Sequence, residues 1–128
     1  CSSVNTSLID QMEEWTSRDN CPDGGQKCLY TVQLQGVFYL KGTHTTPVHG
    51  YIDDMTFTFM DPQDSSTTCS VKAFSTSRVW YAYLDFGTNY CNLRNLAEGA
   101  GLTSGSNFSE VTRDSICTQY TSRNCEVY

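Results

Sequence analysis

The sequence predicts an α+β domain: an N-terminal helix packed on a curved antiparallel sheet of about four strands, then a short second helix and a disulfide-pinned C-terminal tail. Three observations carry this. Apolar residues recur at helical spacing near the start, alternate with polar ones through the middle, and return to helical spacing after Gly87. Seven cysteines in 128 residues supply the staples. An isolated amphipathic helix beside a run of antiparallel strands buries its apolar stripe by lying across the sheet.

Residues 5–18 form the first helix, with Leu8, Met12 and Trp15 at i, i+4 and i+7 and Ile9 widening the stripe. Asp10, Glu13 and Glu14 face out, and Thr6 or Ser7 supplies the N-cap. Residues 19–27 hold Pro22-Asp23-Gly24-Gly25, a turn signal flanked by Cys21 and Cys28, which a local bridge is expected to close. Tyr30, Val32 and Leu34 alternate with Thr31, Gln33 and Gln35 as a half-buried strand, with a bulge expected at Gly36 and Val37 to Leu40 apolar on both faces. Lys41 to His49 reads as a hairpin connection. Tyr51, Asp53, Met55, Phe57 and Phe59 then share one face of a strand, and residues 61–66 make the next turn. Cys69, Val71 and Ala73 mark a third strand, and the aromatic run Val79 to Phe86 a fourth, expected to be central. Tyr90, Leu93, Leu96 and Ala97 repeat at helical spacing between a Thr88 or Asn89 cap and Gly99. Thr103 to Ser109 reads as a glycan-bearing loop, and Cys117 and Cys125 pin the tail.

The length suits one domain spanning residues 1–128. A net charge of −6 with scattered Lys and Arg argues against nucleic acid and disfavours an anionic membrane surface as partner. No apolar run approaches the ~20 residues of a transmembrane helix. The cysteines lack the paired spacing of a zinc site, so disulfides in an oxidising compartment are expected. The sequons Asn5-Thr6-Ser7 and Asn107-Phe108-Ser109 agree with an extracellular glycoprotein. A first residue of Cys1, without an apolar leader, fits a mature chain whose signal peptide has been removed. Cys21, Cys28, Cys69, Cys91, Cys117 and Cys125 are expected to make three intramolecular bridges, of open connectivity. Cys1 is then the spare: capped, or bridging a disulfide-linked homodimer.

No catalytic machinery is legible. The only histidines, His44 and His49, fall in one expected hairpin, and no nucleophile-elbow, zincin or phosphate-loop pattern occurs. His44 and His49 with Asp53 or Asp54 are metal-ligand types, yet in a Thr-rich turn they are expected to be solvated, and no cofactor is expected. Asp61 and Asp64 lack the ligand spacing of a calcium loop. Asp53 is expected at a solvated strand start beside Asp54. Surplus aromatics give the candidate ligand-binding residues: Tyr39, Tyr51, Trp80, Tyr81 and Tyr83.

The element order is similar to that of cystatin-like folds. Their inhibitory motif Gln-x-Val-x-Gly is echoed only in part, by Gln33-Leu34-Gln35-Gly36 on a strand. The expected function is therefore a secreted, non-catalytic recognition module for a small apolar ligand or a protein. The alternatives are a cystatin-like protease inhibitor, which the resemblance implies, and a structural subunit of an extracellular assembly.

Overall fold

A computed structural model describes residues 1–61, 68–79, 86–105, 107–113, 117 and 119–128. Helix α1 spans Ser2–Glu14, and strands β1 (Tyr30–Gln35), β2 (Tyr39–Thr45), β3 (Ile52–Met60) and β4 (Ser70–Ser77) follow before helix α2 (Thr88–Gly99). The strands form an antiparallel meander in the order β1-β2-β3-β4. The expected α+β arrangement is the observed one.

Leu8 and Met12 of α1, Tyr30, Leu40, Met55, Phe57 and Phe59 of the sheet, and Leu96 of α2 make the core. Both helices pack on the same face of the sheet, α1 over β1 and β2 and α2 beside β4. The helix α1 ends earlier than the apolar stripe suggests. The Thr16 hydroxyl donates to the carbonyls of Met12 and Glu13, and Ser17 and Asn20 cap the 3₁₀ turn Arg18–Asn20 reciprocally. Short hydroxyl and amide side chains thus take over the backbone groups that a further helical turn would use.

Two strand expectations change. Lys41 to Thr45 is strand, not connection: β2 pairs with β1 on one side and β3 on the other. Gly42 marks the reason, because Met12 of α1 presses onto the strand there, and a Cβ would collide with Met12 Cε and the Thr31 carbonyl. The bulge falls at Gln33, where the β1 register slips between Val32 and Leu34, not at Gly36. Gly36 instead begins the β1–β2 turn, under the Tyr39 ring. The expected fourth strand lies mostly in residues 80–85, outside the described residues; the observed fourth strand is β4.

Three disulfides staple the chain. Cys21–Cys28 closes the predicted local loop, Cys91–Cys125 ties the tail to α2, and Cys1–Cys69 ties the start of the chain to the start of β4. This corrects two expectations. Cys1 is bridged within the chain, because α1 lies along the sheet and delivers it to Cys69, so it has no sulfur to offer a partner subunit. Cys117 lies outside these three bridges, and Cys125 is the cysteine through which a disulfide holds the tail.

Candidate functional site

At one end of the core the apolar packing gives way to polar groups. Register places His44 opposite both Tyr30 and Asp53, and Asp53 opposite Ser77. These four residues line one row of the sheet's inner face, and α2 lowers Asn92 onto them. Asp53 is not solvated: it is 2% exposed, with His44 and Asn92 at 0%. Ser77 Oγ donates to Asp53 Oδ1 at 2.8 Å and Asn92 Nδ2 to Oδ2 at 2.8 Å. Ser75 and Asn89 extend the network, with Ser75 Oγ donating to Asn89 Oδ1 at 2.7 Å and Asn89 Nδ2 to Ser77 Oγ at 3.2 Å. The Tyr30 hydroxyl donates to the Asn92 carbonyl at 3.1 Å, and burial pushes this phenol well above its ordinary range, with Asp53 adding to the shift.

His44 Nε2 lies 2.7 Å from the Gln26 carbonyl, which only accepts, so Nε2 donates there. His44 Nδ1 faces Asp53 Oδ2 at 3.6 Å, outside hydrogen-bond reach, and has no hydrogen-bond partner among the described residues. Donors on both carboxylate oxygens of Asp53 offset part of the cost of burying it. The groups resemble catalytic ones in type, but α2 and the sheet wall them in.

The opposite face of the sheet differs. It carries Thr31, Lys41, Thr56, Thr58, Lys72, Phe74 and Thr76 together with Tyr39, and neither helix lies on it. Tyr39 is 41% exposed and Phe74 57%. Asp54, also on this face, takes a bidentate pair from Arg78 (2.8 and 2.9 Å), which holds its carboxyl below the usual range. At the β1–β2 turn Val37 and Phe38 stand out into solvent.

A third feature is an open cleft of about 500 Å³ between α2 and the tail, lined by Lys27, Tyr90, Arg94, Glu110, Arg123 and Glu126 among others. Five of its groups, Tyr90, Arg94, Glu98, Glu110 and Arg123, engage one another. The Tyr90 hydroxyl donates to Glu110 Oε1 at 2.6 Å, Arg94 pairs with Glu98 and Glu110, and Arg123 lies over the rings of Tyr90 and Tyr120. Burial, then the hydrogen bond to Glu110, raise the Tyr90 phenol.

Of the residues expected to bind ligand, the two described ones, Tyr39 and Tyr51, lie apart. Tyr39 starts β2, whereas Tyr51 precedes β3 beyond the far end of the same ladder and stacks on His49. Six residues of strand put them about 20 Å apart. Trp80, Tyr81 and Tyr83 lie outside the described residues. His44 and His49 are also separated, one buried in β2 and the other exposed in the turn beyond it, so they do not share a metal. Among the described residues no three His, Cys, Asp or Glu side chains group to hold an ion. Asn5 is not an exposed acceptor: it is buried in α1 and its Nδ2 donates to the Gly36 carbonyl at 2.8 Å. Asn107 is exposed.

Fold and site together define a disulfide-stapled helix-on-sheet protein with a sealed His–Asp–Asn cluster on one side of the sheet and, on the other, a face that neither helix covers. Residues 7–99 match the family model described as a protein of unknown function, DUF1499, and the chain belongs to that family. The match runs from α1 to the end of α2 and so contains the whole cluster. Comparison with curated proteins and with solved structures finds no match.

Proposed function

We propose that this protein is an extracellular, non-catalytic recognition module that engages its partner through the outer face of the sheet. The supporting observation is that face: four strands wide, covered by neither helix, with Tyr39 and Phe74 presented among threonines and lysines. Rigid rings give contact area at low entropic cost. The groups suited to chemistry, His44, Asp53 and Tyr30, are sealed in the core, which favours a structural role for them and a binding role for the protein. Three disulfides and the exposed Asn107 sequon support the secreted setting, with Asn107 as the glycan acceptor.

Photo-crosslinking tests the reading. Benzoylphenylalanine at position 58, in the middle of the outer face, is expected to capture a saturable extracellular component that the same probe at exposed Glu13 on α1 does not. Equal capture from both positions, or none from position 58, would overturn it. One observation favours a second reading, the cystatin-like inhibitor: Gly36, Val37 and Phe38 form an apolar hairpin tip rather than mid-strand. Inhibition of papain-like proteases that is lost in Phe38→Asp would support it.

A further inference from the structure

The outer face has an internal order that suggests what it reads, and the inference rests on that face being the binding surface. Register puts Tyr39, Thr58 and Lys72 in one row across β2, β3 and β4, and Lys41, Thr56 and Phe74 in the adjacent row on the same face, which exposed Leu34 of β1 extends beyond Lys41. The four corners therefore alternate: ring and ammonium on β2, ammonium and ring on β4. With strands about 4.8 Å apart and same-face residues about 6.7 Å apart, each row spans roughly 10 Å and the rows lie about 7 Å from each other. Two threonine hydroxyls occupy the centre. Each of these two rows thus offers one aromatic plane, one hydroxyl and one cation.

Charge separates in the same direction. The chain carries −6 overall, yet the described residues of this face carry Lys41, Lys72 and Arg78 against the single carboxylate of Asp54, which Arg78 already neutralises. Lys41 and Lys72 form no ion pair among the described residues. An acidic protein that keeps two exposed ammonium groups beside two exposed rings presents a surface complementary to an anion with apolar faces. A sugar acid has those attributes in one residue: a C–H face that stacks on a ring, hydroxyls that exchange hydrogen bonds with threonine, and a carboxylate for lysine.

The geometry points to an acidic polysaccharide, laid across the strands of the outer face, as the ligand of this protein. Successive sugar residues stack on Tyr39 and Phe74, and their carboxylates meet Lys72 and Lys41.

Binding of polygalacturonate and of neutral dextran, measured calorimetrically on the secreted, oxidised chain, tests this. The expected result is saturable binding of polygalacturonate, no binding of dextran, and weakening as NaCl is raised. Lys41→Glu with Lys72→Glu, and separately Tyr39→Ala with Phe74→Ala, each lower the affinity at least tenfold while the urea midpoint shows that both variants remain folded. Absence of polygalacturonate binding, or wild-type affinity in the lysine variant, overturns the inference. Dextran binding that is lost only in the aromatic variant overturns it too, but leaves recognition by this face standing. A dimer in gel filtration that the lysine variant dissociates would make a second copy the occupant, and so overturns the sugar assignment.

Discussion

Asp53 shows how little local sequence says about a residue's surroundings. Next to Asp54 at the start of a strand it reads as solvated, and its partner Asn92 is 39 residues away on a helix. Alternation with Met55, Phe57 and Phe59 was the available signal, since it already puts Asp53 on the buried face. Asp53→Ala leaves the Asn92 amide and the Ser77 hydroxyl without their acceptor, and about 1–3 kcal/mol of stability is expected to be lost in urea denaturation. Asp53→Asn, which keeps the shape, is expected to cost less. The buried phenols make a second expectation. Tyr30 and Tyr90 both have folded-state pKa values raised above the ordinary 10.0 by burial. Their stabilising contribution is complete below the unfolded-state value and is lost as pH rises beyond it, because the unfolded chain ionises there and the folded chain resists. Ultraviolet titration is expected to show at least two of the eight tyrosines ionising only together with alkaline unfolding.

At the scale of elements, both helices, the local Cys21–Cys28 loop and three of the four observed strands were legible in periodicity and turn signals. β2 was not, past Leu40. Gly42, three threonines and two histidines between Lys41 and His49 look like a turn, and only the approach of Met12 explains why a glycine stands in mid-strand. Gly42→Ala is therefore expected to force α1 off the sheet and to cost more than the ~1 kcal/mol at which most point mutations centre. A lowered thermal midpoint with loss of the Trp15 fluorescence environment would register it. The bulge at Gln33 had no signal of its own, because it follows from register against β2 rather than from any residue preference. The outer face was half legible: Tyr39 was singled out by its residue type, but Phe74, Lys41 and Lys72 join it only through pairing.

For the molecule as a whole, the match to the family runs over residues 7–99 and encloses Cys21–Cys28, whereas the other two bridges each have one end beyond it. The core and its polar cluster therefore belong to the family segment, and Cys1–Cys69 and Cys91–Cys125 fasten the flanking pieces to it. Connectivity was invisible in the sequence because it depends on where the folded sheet delivers each sulfur. A bridge across 68 residues restricts the unfolded chain, and Cys1→Ser with Cys69→Ser is expected to cost about 4 kcal/mol by chain entropy. Differential scanning calorimetry of the double variant against the parent measures that loss.

The same two long bridges decide what a protease leaves behind. A single cut anywhere from Cys1 to Cys69, or from Cys91 to Cys125, opens the backbone without releasing a fragment, since a covalent detour joins the two sides. Only the stretch between Cys69 and Cys91, apart from the last three residues, is single-threaded, so one cut there divides the molecule in two. Nicked protein recovered from a hydrolytic surrounding would run as one band until a reductant is added, with every break but those in that stretch hidden from view.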